Sequence, residues 1–246
     1  MADTGTTILR GIVGSRAYGL DHEGSDTDRL GCYVAPTVQF HGLHPPIGKL
    51  ASRVQTTPSD YTEHEAGKLV SLLLACNPTV TELLYLDSYE VCTPEGRALI
   101  DIRNAFLSAK AVRNAYLGYA TQQFRRLSER GDGSFSADTR KRTQKHARHL
   151  RRLCWQGFTL YSTGHLPIRV EHPEDYHEFG RVVANNAEHA AGLIREYEYK
   201  FDTVASVLPD KPDEDAAVRW LLDVRARHLD EDTWLTWLAA TGTVKP

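Results

Sequence analysis

The chain has 246 residues, of which 41% are hydrophobic and 25% charged, with a formal net charge of −3. This is ordinary for a globular protein with a sizeable core, and it excludes a global basic excess, so any nucleic-acid surface must be local. The longest apolar runs, such as Leu69 to Cys76, are far short of a membrane span. The opening Met-Ala-Asp-Thr-Gly-Thr-Thr lacks a basic-then-apolar pattern, so a cytoplasmic protein with no membrane partner is expected. Cys32, Cys76, Cys92 and Cys154 are scattered in apolar company without a C-x-x-C pair, so neither a disulfide framework nor a zinc cluster is expected.

In chain order, Thr7 to Val13 reads as a short apolar strand or the end of a helix. Thr27 to Val34 reads more clearly as a strand, following the turn signals Gly24-Ser25. A loop rich in Pro, Gly and His runs from Ala35 to about Lys49. Glu65 to Ala75 has helical spacing, with Leu69, Leu72 and Leu73 on one face. Asn77-Pro78 stops that helix, and Thr79 is a candidate cap for a second. From Pro94 the texture turns helical: Pro94 to Ile102, Ala105 to Glu129, Ala137 to Tyr161, Asp175 to Phe201 and Asp213 to His228. An α/β front portion of about a hundred residues, followed by an all-helical portion, is the organisation expected.

The chemistry concentrates at Asp26 and Asp28. If Asp26 starts a strand, both carboxylates leave from one face, because strand side chains alternate. They then repel unless a cation lies between them, and Mg²⁺ is commonly held by one or two carboxylates plus substrate phosphates. Upstream, Gly14-Ser15 permits close approach of backbone N–H groups to phosphates, and Arg16 offers a forked donor. A bare D-x-D is more often a polar turn with a solvated tip; the Gly-Ser before it and the apolar strand after it favour a site. The second concentration lies on a helix, where Lys141, Lys145, Arg148 and Arg152 share a face, with His149 one turn beyond Lys145. Charge alone allows a solvated face, the triphosphate of a nucleotide or a nucleic-acid backbone.

Gly14-Ser15-Arg16-Ala17-Tyr18-Gly19-Leu20, Ser25-Asp26-Thr27-Asp28 and Gly31 together resemble the DNA polymerase β-like nucleotidyltransferase superfamily. More narrowly, they resemble its branch of predicted nucleotidyltransferases called the RNA-repair-pathway polymerase β family. Asp60 with Lys68, and Asn77-Pro78 to Glu82-Leu83-Leu84, are similar to the branch's second block. Lys145 to Leu153 resembles its helical block, and Gly164-His165-Leu166-Pro167-Ile168 the segment that follows.

This resemblance implies an α+β fold, with a small mixed-sheet catalytic core over residues 1–100. A helical domain over residues 101–246 would then complete the nucleotide site. It implies transfer of a nucleoside monophosphate from an NTP to a hydroxyl acceptor, an RNA or tRNA end, with release of pyrophosphate. Asp26, Asp28 and Asp60 would hold Mg²⁺, with Mn²⁺ as the alternative ion. Glu63 and Glu65, which alternation puts on the face opposite Asp60 and His64, stand as substitutes for the third carboxylate. Gly14, Ser15, Arg16, Lys145, His149 and Arg152 would hold the NTP, and Lys68 would reach a phosphate. Lys141 and Arg148, outside the matched trio, are left for an RNA backbone. The rival readings are nucleotidylation of a protein or small molecule, and a non-catalytic nucleotide-binding module.

Overall fold

The apolar run after Thr6 forms a strand in the computed structural model, which describes residues 5–41, 52–55, 61–128 and 137–229, apart from the side chains of 126–128 and 137–139. This strand, β1 (Thr6–Val13), buries Ile8, Leu9 and Val13. It leads directly into a short helix, α1 (Gly14–Tyr18), which ends on Gly19 in the left-handed conformation. The chain returns as β2 (Asp28–Val34), antiparallel to β1, with Asp28 opposite Val13. An antiparallel pair, β3 (Ser52–Gln55) and β4 (Tyr61–Glu65), follows, and β4 lies parallel to β2 from Arg29 opposite Tyr61 to Tyr33 opposite Glu65.

Helix α2 (Ala66–Leu74) buries Ala66, Leu69, Val70 and Leu73 against the sheet. Asn77, not Thr79, caps α3 (Pro78–Thr81): its side chain accepts from the backbone N–H groups of Thr79 and Val80 at 3.1 and 3.3 Å. Pro78 occupies the first turn, where its missing N–H costs nothing. β5 (Val91–Cys92) then pairs with β1 and completes a mixed sheet in the order β3-β4-β2-β1-β5. The expected α+β class, a small sheet followed by helices, is what the chain forms.

The helical part comprises α4 (Pro94–Asp101), α5 (Ala109–Ser128), α6 (Ala137–Thr163), α7 (Pro173–Asn185), α8 (Glu188–Thr203) and α9 (Glu214–Arg227). The continuous helix expected from Asp175 to Phe201 is two helices, α7 and α8. Asn186 takes extended geometry, and its side chain accepts from the N–H of Glu188, starting the second helix. Helices α5 and α6 cross at Gly157, where a Cβ would lie 2.4 Å from that of Tyr116. With α7 and α8 they enclose a core that includes Leu150, Leu153, Cys154 and Val183.

Helix α9 does not join them. Its Ala217, Trp220 and Val224 belong to the sheet-side core, and Arg225 reaches Glu65 at 2.6 Å. Among the described residues no helix is long and apolar enough to cross a membrane.

Candidate active site

The pairing of Val13 with Asp28 sets the end of β1 beside the start of β2. Gly14 therefore lies against the Asp28 side chain, and a Cβ there would fall 2.2 Å from Asp28 Oδ2. Its φ of +72° is also left-handed, so conformation and space both demand glycine. Gly14→Ala is expected to cost about 1–2 kcal/mol of stability through φ alone. If Asp28 takes part in catalysis, displacing it should lower kcat about a hundredfold, the scale of an ångström-sized misplacement. Paired measurements of denaturation midpoint and kcat would check both.

Asp26 does not start the strand, the condition on which alternation would put both carboxylates on one face; β2 begins at Asp28. Asp26 lies in the loop before β2: the ladder ends at the Val13–Asp28 pair, where β1 gives way to α1, and Arg16 Nη2 donates to Ser25 O at 2.9 Å and Nε to Asp26 O at 3.3 Å. A turn with Gly24 at φ +84°, and the Ser25 hydroxyl accepting from His22 N–H, complete the loop. Arg16 thus fastens the Asp26 loop to α1 and does not itself line the cleft.

Asp26 and Asp28 nevertheless face one cleft of about 410 Å³. One wall carries Gly14, Ser15, Asp26 and Asp28; the other carries Lys145, Arg148, His149 and Arg152 of α6. Lys145 is exposed and Arg148 half-buried, and burial lowers the Arg148 pKa from its usual value. Arg148, which the sequence reading left for an RNA backbone, lines this wall. His22 and Thr79 also line it, and neither was legible as a site residue. A larger groove of about 650 Å³ among α6, α7 and α8 contains none of these groups, and several of its acids are already paired, such as Glu188 with Arg195.

Arg152 enters the cleft wall from inside. It is only 3% exposed, and its Nη1 donates to Glu82 at 3.3 Å and to Gln156. Its guanidinium stacks 3.7 Å over the Tyr18 ring, whose hydroxyl donates to Glu82 at 2.8 Å. Gln156 in turn donates to Pro167 O at 2.7 Å, which ties the Gly164–Ile168 segment to the same network. Burial pushes the Glu82 carboxyl up, against the opposing pull of Arg152 and the Tyr18 hydroxyl. Burial also raises the Tyr18 phenol well above its usual value. Arg152 Nη2 lies 3.0 Å from His149 Nδ1. A guanidinium can only donate, so Nδ1 accepts and the neutral ring carries its proton on Nε2.

Other expected site residues lie elsewhere. Lys68 is exposed on α2 close enough to depress the His64 pKa, which burial lowers first. Asp60 lies outside the described residues. Its two substitutes are committed to other tasks. Glu63 is buried, accepts from Thr7 Oγ1 at 3.0 Å and lies 3.7 Å from both Arg10 and Arg53. Glu65 caps α2 through Gly67 N–H and pairs with Arg225. Both leave β4 on the face shared with Gly31 and Tyr33, opposite Asp28 and Leu30.

Among the described residues no three His, Cys, Asp or Glu side chains converge as a ready-made metal cage. Asp26 and Asp28 are the carboxylates lining this cleft, and one or two carboxylates are what a hard divalent cation shared with phosphates commonly takes. Compared with known families, residues 2–188 match the one described as the RNA repair pathway DNA polymerase beta family. No curated protein matches the chain.

Proposed function

This chain belongs to the RNA repair pathway DNA polymerase beta family, a family of nucleotidyltransferases, and from that premise we propose that it moves a nucleoside monophosphate from an NTP to an RNA or tRNA end. The observation that carries this reading is one cleft in which Asp26 and Asp28 face Lys145, Arg148 and His149. The acceptor oxygen bonds to the α-phosphorus, the bond from that phosphorus to the pyrophosphate oxygen breaks, and the hydroxyl proton is released to water. Mg²⁺, held by Asp26, Asp28 and the phosphates, would polarise the phosphoryl group and lower the hydroxyl's pKa.

The chain's own residues supply the rest. Lys145 and Arg148 neutralise the triphosphate from the α6 side, and His149 adds a neutral N–H donor in a tautomer fixed by Arg152. Gly14 leaves room for Asp28, and Arg16 holds the Asp26 loop. Asp60 is the proposed third carboxylate: in sequence it precedes Tyr61 as Asp28 precedes Arg29, and those two followers pair in the parallel ladder.

Incubation with each labelled NTP and total RNA tests the reaction directly; label found only on protein or on small molecules would refute the RNA reading. For the triphosphate, Lys145→Ala and Arg148→Ala are each expected to weaken NTP binding by about 1.5–3 kcal/mol, the scale of a hydrogen bond to a charged group. Lys211→Ala, at an exposed position away from the cleft, serves as the control. Unchanged affinity in both α6 variants would return the stripe to a solvated face.

A further inference from the structure

The helical part is divided in charge. From Arg140 to Thr163, α6 carries seven lysines and arginines and no carboxylate, whereas from Glu171 to Glu198, across α7 and α8, the chain carries seven carboxylates and two arginines. The groove of about 650 Å³ belongs to the acidic side, between the two helices that the break at Asn186 separates. Its floor is apolar: Phe179, Val182 and Leu193 are half-buried there, and nothing lies within 4 Å of the point where a Cβ on Gly192 would fall. Its rim is acidic, with Asp175, Glu178, Glu188 and Glu196 exposed around that floor. Glu178, Glu188 and Glu196 pair with Arg181, Arg195 and Lys200. Those three cations do not line the groove, and exposed pairs of this kind contribute little, so the cations of a partner can replace them. One guanidinium already lies against the floor: Arg151 donates to the Asp175 carbonyl at 2.8 Å and sits 5.5 Å from the Phe179 ring centroid.

We infer that this groove docks a basic amphipathic helix of a partner protein, its apolar stripe on Phe179, Val182 and Leu193 and its lysines or arginines on the carboxylates around them. Charge decides the class of partner, since an acidic rim repels polyphosphates, RNA and anionic lipid. The apolar floor decides its form, because a helix that lies in a groove anchors itself by side chains at i, i+3 or i+4, and i+7. The side of the groove from His189 to Glu196 lies beyond residue 188, where the family match ends, so the family does not imply it. The inference also goes beyond the transferase reading, because no residue of this groove lines the cleft that holds Asp26 and Asp28.

The test uses the full chain and three labelled synthetic peptides. The first has leucines at i, i+3 and i+7 with lysines between them, the second is a scramble of the same composition, and the third has glutamate for lysine. Fluorescence anisotropy should show the first peptide binding, the scramble binding about tenfold or more weakly, and the acidic peptide not binding. Binding should weaken as salt rises, because the rim charges are exposed. Gly192→Lys is expected to weaken it about tenfold or more, since the new side chain fills the open floor with a like charge. Lysine is also the better helix former, so the denaturation midpoint of this variant should not fall. Glu178→Lys, on the exposed rim, should flatten the salt dependence. Failure of the first peptide to bind, equal binding of the scramble, or binding that Gly192→Lys leaves unchanged would each overturn the inference. A dimer in sedimentation that Gly192→Lys dissociates would overturn it too, because a second copy of the chain would then be the occupant.

Discussion

Asp28→Asn should eliminate nucleotidyl transfer while leaving the fold intact. The residue heads β2, and its ladder contacts with Val13 are made by backbone, which asparagine preserves. The side chain lies half-buried against Gly14 and lines the cleft that Lys145, Arg148 and His149 face from α6. Asparagine has nearly the same shape and no charge. A loss of about a thousandfold or more is expected, because charge stabilisation by a bound metal is worth several kcal/mol and each 1.36 kcal/mol is a factor of ten. Denaturation midpoints should stay level or rise slightly, since a carboxylate near Asp26 is removed. EDTA should abolish transfer by wild type in the same way, and restored Mg²⁺ should recover wild type but not the variant. Transfer that persists in EDTA, or in Asp28→Asn, would sink the metal mechanism.

Much of this was legible in sequence because the signals were local. Gly14-Ser15 and the Asp26–Asp28 spacing lie within fifteen residues, and the α6 stripe is a single helix whose period can be counted. What was not legible depended on the third dimension. The condition that Asp26 starts the strand is not met, because β1 passes into α1 after Val13 and leaves β2 no ladder partner on β1 before Asp28. Charge spacing ranked Lys141, Lys145, Arg148 and Arg152 together, yet the stripe runs from exposed Lys141 to buried Arg152, so the four differ in surroundings. Tyr18 and Glu82 are 64 residues apart and no period links them; only the fold sets one hydroxyl against the other's carboxylate. Likewise, nothing in the acidic and aromatic texture of the last described helix shows that Trp220 and Arg225 return to the sheet.

The second large effect concerns stability. Arg152→Met and Glu82→Leu, made singly, are each expected to destabilise the protein by about 3–5 kcal/mol, because each strands a buried charge. Glu82 and Arg152 are 1% and 3% exposed, so water cannot replace the lost partner. The double variant should recover most of that loss, since replacing both charges by apolar groups of similar volume is often neutral or stabilising. Tyr18 and Gln156 keep the recovery incomplete, as each loses a hydrogen-bond partner in the double variant. Urea titrations of the four proteins would give the coupling energy directly. The same set separates holding the site from touching substrate. If Arg152 acts by fixing His149, the refolded double variant should still bind NTP through Lys145 and Arg148, while kcat falls because the His149 tautomer is no longer imposed. If Arg152 instead contacts the triphosphate itself, the double variant would be stable yet lose NTP affinity as sharply as Lys145→Ala does. Additive destabilisation, with no recovery, would mean that Glu82 and Arg152 are not coupled.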